Sequence, residues 1–446
     1  MDIKEIRIEI ARNRITFIKQ ESFPYESDLS NDYSKLELRI ARIFHKVLNK
    51  HKIINAFQKN DYEILGEMLQ KILIQNQDVV NFLYPTFSDI QKNAGAKCRI
   101  FIRFAQDVDE MQELPWEYTF IFPDPEKNYP ISVSPFFWSA DKSLKFDFIR
   151  SVADEHLVFA PSQDQELHVI LLTTNARNNP LKYEPEMYEC FDKLRRRSTN
   201  KLFYYKLSNR KFTDLENKLN ETIAMIPGAY VLHFYGHSEM TEQGGRISFV
   251  DDNDNIQWIR DVHFADLIAK GLKRKPELVV LQACESGQVA SKGKGVGIAL
   301  ANRKIPAVLA MQNMVEENVS QQFVRKFYEA ILDGEDVGSA TTKARVFLGC
   351  ELKKEEEEPD FDNNSFGTPV LFISTKVPLQ LMPKLNEGVN QTNKTHKKCT
   401  HCLREYPQTT EDKCIVNNCT GDLVSVGKLK NLAEEEMIDT LQKDKE

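Results

Sequence analysis

The chain has 446 residues, a formal net charge of −7, and 41% hydrophobic against 28% charged residues. That length allows two or three domains with a sizeable buried core, and the mildly acidic balance excludes a polycationic nucleic-acid binder. No run approaches the roughly 20 apolar residues of a membrane-spanning helix, and the N-terminal MDIKEIRIEIARNRITFIKQ carries charges between its isoleucines, so it lacks the apolar centre of a signal peptide. Eight cysteines, four of them crowded between 399 and 419, point to a reducing cytoplasmic setting without disulfides.

In chain order, Ile6, Ile8 and Ile10 alternate with charged residues, Asn13-Arg14 interrupts, and Ile15, Phe17 and Ile18 follow, which predicts an antiparallel hairpin. Leu36, Ile40, Phe44, Val47 and Leu48 share one helical face; Leu65, Met68, Leu69, Ile72 and Leu73 share another. Arg99 to Phe104 returns to strand alternation, and prolines at 115, 123, 125, 130 and 135 predict loops and edge strands. From about residue 160 a β-α alternation begins. Strands are expected at Leu167 to Thr173, Leu202 to Leu207, Tyr230 to Tyr235, Leu278 to Gln282 and Ala307 to Ala310, and helices at Leu215 to Met225, His263 to Lys270 and Val319 to Leu332. Such alternation implies an α/β fold with a mostly parallel sheet covered on both faces. Ile247 to Val250 and Ile256 to Ile259 flank the polar string Asp251 to Asn255, which reads as a β-hairpin; a calcium loop would need a glycine and a distal glutamate that this string lacks. An acidic stretch from Glu355 precedes a last strand at Pro369 to Ile373, and residues 378–395 have the composition of a linker.

The chemistry concentrates at two strand ends. AYVLHFYGHS places His237 just past Tyr230 to Tyr235, and ELVVLQACESG places Cys284 just past Leu278 to Gln282. Side chains leaving the carboxyl ends of parallel strands converge at one sheet edge, so the two residues are expected to meet although 47 positions separate them. A single buried cysteine is usually a small core residue; a cysteine and a histidine at matched strand ends form a nucleophile and its base. Gln282-Ala283-Cys284 with this histidine upstream is close to the caspase signature, departing at Glu285-Ser286-Gly287. His233, on the strand itself, is expected to pack in the core, and Cys98, Cys190 and Cys350 to be structural. Glycines at 287, 293, 295 and 297 miss the spacing of a phosphate-binding loop and suggest a mobile loop on the substrate side.

With these residues the chain resembles the CHAT group of bacterial caspase-like cysteine peptidases, related to caspases and separase. The likeness includes Leu114-Pro115-Trp116-Glu117, Gly295 to Leu300, Ile305 to Gln312, Phe323 to Tyr328, Leu332-Asp-Gly334 and Lys343-Ala-Arg345, and spans most of residues 90–375. It implies a caspase-like three-layer α/β/α sandwich. Residues 1–160 would form a degenerate caspase-like region buttressing a catalytic domain at 161–377, followed by a linker at 378–395, a zinc-ribbon-like module at 396–428 and a charged tail at 429–446. It also implies that Cys284 attacks a peptide carbonyl, that His237 protonates the leaving amine, and that the backbone N–H groups of Cys284 and Ser238 hold the oxyanion, with Gly236 freeing the turn. Gln282, where basic-specific relatives carry aspartate, and Arg177, otherwise a solvated loop arginine, are candidates for the substrate pocket.

Cys399-x2-Cys402 and Cys414-x4-Cys419 have the spacing of one closed, structural Zn2+ site, with His396 and His401 as possible substitutes. The leading functional reading is a cytoplasmic cysteine endopeptidase acting on one or a few protein substrates under a regulatory or sensor partner, without membrane attachment. The resemblance implies a role in bacterial immunity or regulated cell death, such as activation of a gasdermin. The alternative is a catalytically silent scaffold binding a protein, or less favourably a nucleic acid, through the ribbon. A third is an acyltransferase or thioesterase using the same thiol. The short connection after Cys284 leaves little room for a processing linker, so the intact chain is expected to be competent.

Overall fold

The computed structural model describes residues 2–19, 23–28, 38–43, 45, 59–74, 77–93, 95–105, 108–119, 144–152, 166–198, 201–290, 293–351, 363–375, 379–383, 395–399, 405–409 and 423–425. They fall into two units, 1–384 and 385–446. Strands of the first unit are β1 (Asp2–Ala11), β2 (Arg14–Lys19), β3 (Tyr25–Asp28), β4 (Ala96–Phe104), β5 (Phe146–Ser151), β6 (Leu167–Thr173), β7 (Leu202–Ser208), β8 (Tyr230–Tyr235), β9 (Ser238–Thr241), β10 (Gly244–Val250), β11 (Ile256–Arg260), β12 (Leu278–Gln282), β13 (Val289–Ala290), β14 (Gly293–Lys294), β15 (Ala307–Met311) and β16 (Pro369–Ile373). Its helices are α1 (Lys59–Leu73), α2 (Gln77–Lys92), α3 (Asp109–Gln112), α4 (Glu184–Arg197), α5 (Phe212–Ile223), α6 (Asp261–Asp266), α7 (Val296–Asn302), α8 (Glu317–Leu332) and α9 (Val337–Val346).

Among the described residues one eleven-stranded sheet runs β3-β2-β1-β4-β5-β16-β15-β12-β8-β6-β7. From β15 to β7 all neighbours are parallel, as are β1, β4 and β5; β16 runs antiparallel to β15 and parallel to β5. The boundary expected near residue 160 therefore lies between strands of a single sheet, with the two sides joined where Phe372 pairs Arg150. β9, β10 and β11 form a separate small sheet that contains the expected hairpin.

The central strands are buried on both faces because their Val and Leu runs serve two layers. Val169, Leu171, Val231, Val280, Leu309 and Leu371 pack with Phe191 of α4, Phe323 and Tyr328 of α8 and Ala340 of α9. Their alternating neighbours Ile170, Leu172, Leu232, Val279, Leu281, Val308 and Phe372 pack with Leu219 of α5, Phe264 of α6 and Leu300 of α7. This period-two division is what makes an α/β/α sandwich. Among the described residues no helix is long and apolar enough to cross a membrane.

The expected alternation at Arg99 to Phe104 is replaced by continuous burial from Ala96 to Ile102, because both faces of β4 are covered: Cys98, Ile100 and Ile102 pack in the core, and Lys97 and Arg99 meet Ser339 and Asp336 at the start of α9. The cations of β4 are neutralised in place. Lys97 Nζ lies 2.8 Å and Arg99 Nε 3.6 Å from the fully buried Asp147 carboxylate of β5, and Arg99 also meets Asp336, the N-cap of α9.

In the second unit β17 (Thr395–Cys399) lies between β18 (Glu405–Thr409) and β19 (Leu423–Ser425), antiparallel to both. Cys399 ends β17; Cys402, Cys414 and Cys419, like His401 and the proline segment at 123–135, lie outside the described residues, as does the side chain of His396.

Candidate active site

β8 and β12 are parallel neighbours in register, with Tyr235 opposite Gln282. His237 and Cys284 each stand two residues beyond that pair, so matched pairing delivers both to the same edge. Both line a cleft of about 410 Å³, with Leu181 to Tyr183 on one side and Val315 to Asn318 on another. The Cys284 Sγ lies 3.6 Å from the Val315 carbonyl, and the Ser238 hydroxyl donates to the Cys284 carbonyl, tying the residue after the histidine to the cysteine itself.

The turn that carries His237 is fixed from below. Gly236 admits no side chain, since a Cβ there would lie 2.2 Å from Thr174 Oγ1 and 2.6 Å from Phe234 Cζ. Buried Ser248 grips His237 on both sides: its hydroxyl accepts from the His237 N–H at 3.0 Å, and its own N–H donates to the His237 carbonyl at 2.9 Å. Thr174 completes the support at 3.0 Å from Ser248 Oγ. The imidazole Nε2 lies 3.0 Å from the Asn179 carbonyl. A carbonyl only accepts, so Nε2 carries the proton and Nδ1 is the basic nitrogen.

The Asn179 loop is held in turn. Arg177 N–H donates to the Asp254 carbonyl at 2.7 Å, Asn178 Oδ1 accepts from Ile256 N–H at 2.9 Å, and the Glu317 carboxylate accepts from the N–H groups of Lys182 and Tyr183 at 3.0 and 3.2 Å and from the Tyr235 hydroxyl at 3.1 Å. Glu317, at the start of α8, went unnoticed in the sequence because one acidic residue in a first helical turn is commonplace.

The two pocket candidates fare differently. Gln282 lines the cleft, but its amide is engaged: Oε1 meets His233 Nε2 at 3.1 Å and Nε2 donates to Ser320 Oγ at 2.9 Å. Arg177 is exposed and does not line the cleft. Of the glycines expected to give a mobile loop, Gly287 and Gly295 are closely packed, since a Cβ at Gly287 would lie 2.5 Å from Val370 Cγ1 and one at Gly295 2.5 Å from the Gln288 carbonyl; residues 291 and 292 lie outside the described residues, as do the surroundings of Gly293.

His233 is fully buried, as its place on the strand predicts, between Gln282 and Tyr328, whose hydroxyl is 3.1 Å from Nδ1. Burial is the main cause that pulls its pKa down to about 4, against a smaller upward pull from the Gln282 hydrogen bond. The unfolded chain takes up this proton near the ordinary ~6.5, so stability is full above that pH and falls as the medium is acidified towards 4. Denaturant titration is expected to give a stability lower by about 2 kcal/mol at pH 5 than at pH 7, a difference that His233→Asn largely removes. Equal pH dependence in both proteins would contradict a buried neutral ring.

Among the described residues no group of His, Cys, Asp and Glu side chains could hold a metal ion. The cleft presents a thiol, an imidazole and backbone groups at the mouth of the parallel strands.

Three solved structures align with this chain. Gingipain R, an Arg-specific cysteine proteinase, aligns over 74% of this chain and 77% of its own at 9% identity and a TM-score of 0.39. The Saccharomyces cerevisiae separase–securin complex aligns over 85% of this chain and 30% of its own at 10% identity and a TM-score of 0.47. The Drosophila initiator caspase Dronc aligns over 52% and 94% at 11% identity and a TM-score of 0.34. No curated protein matches the chain. The profile of the CHAT domain matches residues 63–360, well over half of the 446, and takes in both strand ends and the cleft between them; the chain belongs to the CHAT domain family.

Proposed function

We propose that the chain is a cysteine endopeptidase in which Cys284 is the nucleophile and His237 the general acid and base. The observation that carries this reading is the shared cleft. A thiol and an imidazole open into one space of about 410 Å³, and the imidazole has its second nitrogen occupied by the Asn179 carbonyl.

His237 Nδ1 takes the Cys284 proton, and the thiolate adds to the scissile carbonyl. The oxyanion is held by the backbone N–H groups of Cys284 and Ser238, each contributing a factor of about 10²–10³. The imidazolium protonates the leaving amine, and the neutral ring then draws a proton from water as it attacks the thioester, contributing about 10²–10⁴-fold. Tyr183, Val315 and Asn318 make the walls against which the substrate lies.

By family resemblance, the reaction serves bacterial defence or regulated cell death, acting on one or a few protein targets such as a gasdermin. Incubation of the full chain with a proteome-derived peptide library, read by sequencing new N-termini, tests the activity. Cuts sharing a common residue before the broken bond, absent with Cys284→Ala, are expected. The same cuts from Cys284→Ala, or none from the native chain, would contradict it.

We also propose that Cys399, Cys402, Cys414 and Cys419 hold one structural zinc, whose binding would supply most of the folding free energy of so small a module. Elemental analysis is expected to give one zinc per chain, lost in Cys402→Ser; a metal-free native chain would contradict the assignment.

A further inference from the structure

The residue after the nucleophile stands in an uncommon conformation: Glu285 has φ 57°, a left-handed geometry that a non-glycine residue adopts only where its surroundings hold it. The end of β15 provides that hold. Glu285 N–H donates to the Asn313 carbonyl at 3.4 Å, Met311 N–H to Ser286 Oγ at 3.1 Å, and Gly287 N–H to the Met311 carbonyl at 2.8 Å. Gly287 lies so close that a Cβ there would stand 3.3 Å from Gln312 N. Residues 311–313 are thus the rail on which the nucleophile turn hangs.

Gln312, in the middle of that rail, is buried and held at both ends of its amide. Oε1 accepts from Arg150 Nη2 at 2.9 Å, while Nε2 donates to Glu117 Oε2 at 2.8 Å and to the Gly367 carbonyl. Glu117 is itself buried and accepts from Arg150 Nε at 2.9 Å and Nη2 at 2.6 Å. It sits in the Trp116–Tyr118 turn, which is locked by the Trp116 indole donating to the Met111 carbonyl at 2.7 Å. If Glu117 only neutralised Arg150, those two contacts would suffice; the link to Gln312 extends its reach to the nucleophile turn.

We propose that Glu117 is a positioning residue for Cys284, acting through Gln312. The Leu114-Pro115-Trp116-Glu117 stretch of the first part of the chain thereby sets the thiol against the imidazole. This rests on the peptidase reading of the dyad.

The test is alkylation of the Cys284 peptide by iodoacetamide between pH 5 and 10, followed by mass spectrometry on the full chain, in the native protein, His237→Ala, Glu117→Gln and Gln312→Met. Glu117→Gln removes the charge facing buried Arg150 and can cost the fold; Gln312→Met keeps the volume and leaves the Glu117–Arg150 pair intact. In folded variants the alkylation rate at pH 7 is expected to fall about tenfold, as for a misplaced reacting group, with the titration midpoint moving up towards the ~8.5 of an ordinary thiol. A folded Gln312→Met with the native profile overturns the proposal and leaves the peptidase reading standing, provided His237→Ala shifts the profile. If His237→Ala also leaves it unchanged, the dyad itself fails and the proposal with it.

Discussion

Cys284→Ala is expected to abolish peptide-bond cleavage, and His237→Ala to lower it by about 10⁴–10⁶-fold. The size of the second effect follows from what the ring supplies. Without a base, an ordinary thiol of pKa ~8.5 is only a few per cent thiolate at pH 7, and the leaving amine has no proton donor. The two residues work as one unit, so the double variant is expected to be no worse than Cys284→Ala alone. Additive losses would mean that they act at separate steps. Folding should survive both changes, since each side chain opens into the cleft rather than into the core, and thermal unfolding monitored beside activity checks this.

Asp147→Ala is expected to be the most damaging substitution for stability among those considered, at about 3–5 kcal/mol. The carboxylate is fully buried within 2.8 Å of Lys97 Nζ and 3.6 Å of Arg99 Nε, and accepts from the hydroxyls of Thr342 at 2.8 Å and Ser339 at 3.2 Å. Removing it leaves the buried Lys97 ammonium without its anion, and desolvation of an uncompensated charge exceeds the worth of one lost contact. Arg99 retains Asp336, which keeps the cost from doubling. Denaturant unfolding of the two proteins measures the difference; a loss below about 1 kcal/mol would mean that water reaches the cluster.

The parts legible in the sequence are those where one local pattern decides the outcome. Val and Leu runs such as Leu278 to Gln282 specify strands buried on both faces, and a histidine and a cysteine just beyond two such runs must share an edge once the strands pair in parallel. The helix Glu184–Arg197 escaped notice because only Met187, Phe191 and Leu194 are buried among many charges; their i, i+4, i+7 spacing was the available signal. The helix Val337–Val346 offers only a narrow apolar stripe of small residues, Val337, Ala340 and Ala344, because it also buries Ser339, Thr341, Thr342 and Arg345 by hydrogen bonding and ion pairing. The orienting partner of His237 is a backbone carbonyl, which no residue type announces. The Glu117–Gln312 contact joins residues 195 positions apart, whose surroundings meet through the pairing of β5 with β16 and through long-range contacts such as Tyr118 with Phe366, which no local pattern announces.

The central claim is that Cys284 and His237 form one reactive pair inside the cleft. Treatment of the full chain with a peptidyl acyloxymethyl ketone, followed by mass spectrometry of the intact protein and of its fragments, tests it most directly. A single adduct on Cys284, formed by the native protein and lost in His237→Ala, is the predicted result. Labelling that is indifferent to His237, or that falls on Cys98 or Cys190 instead, would contradict it.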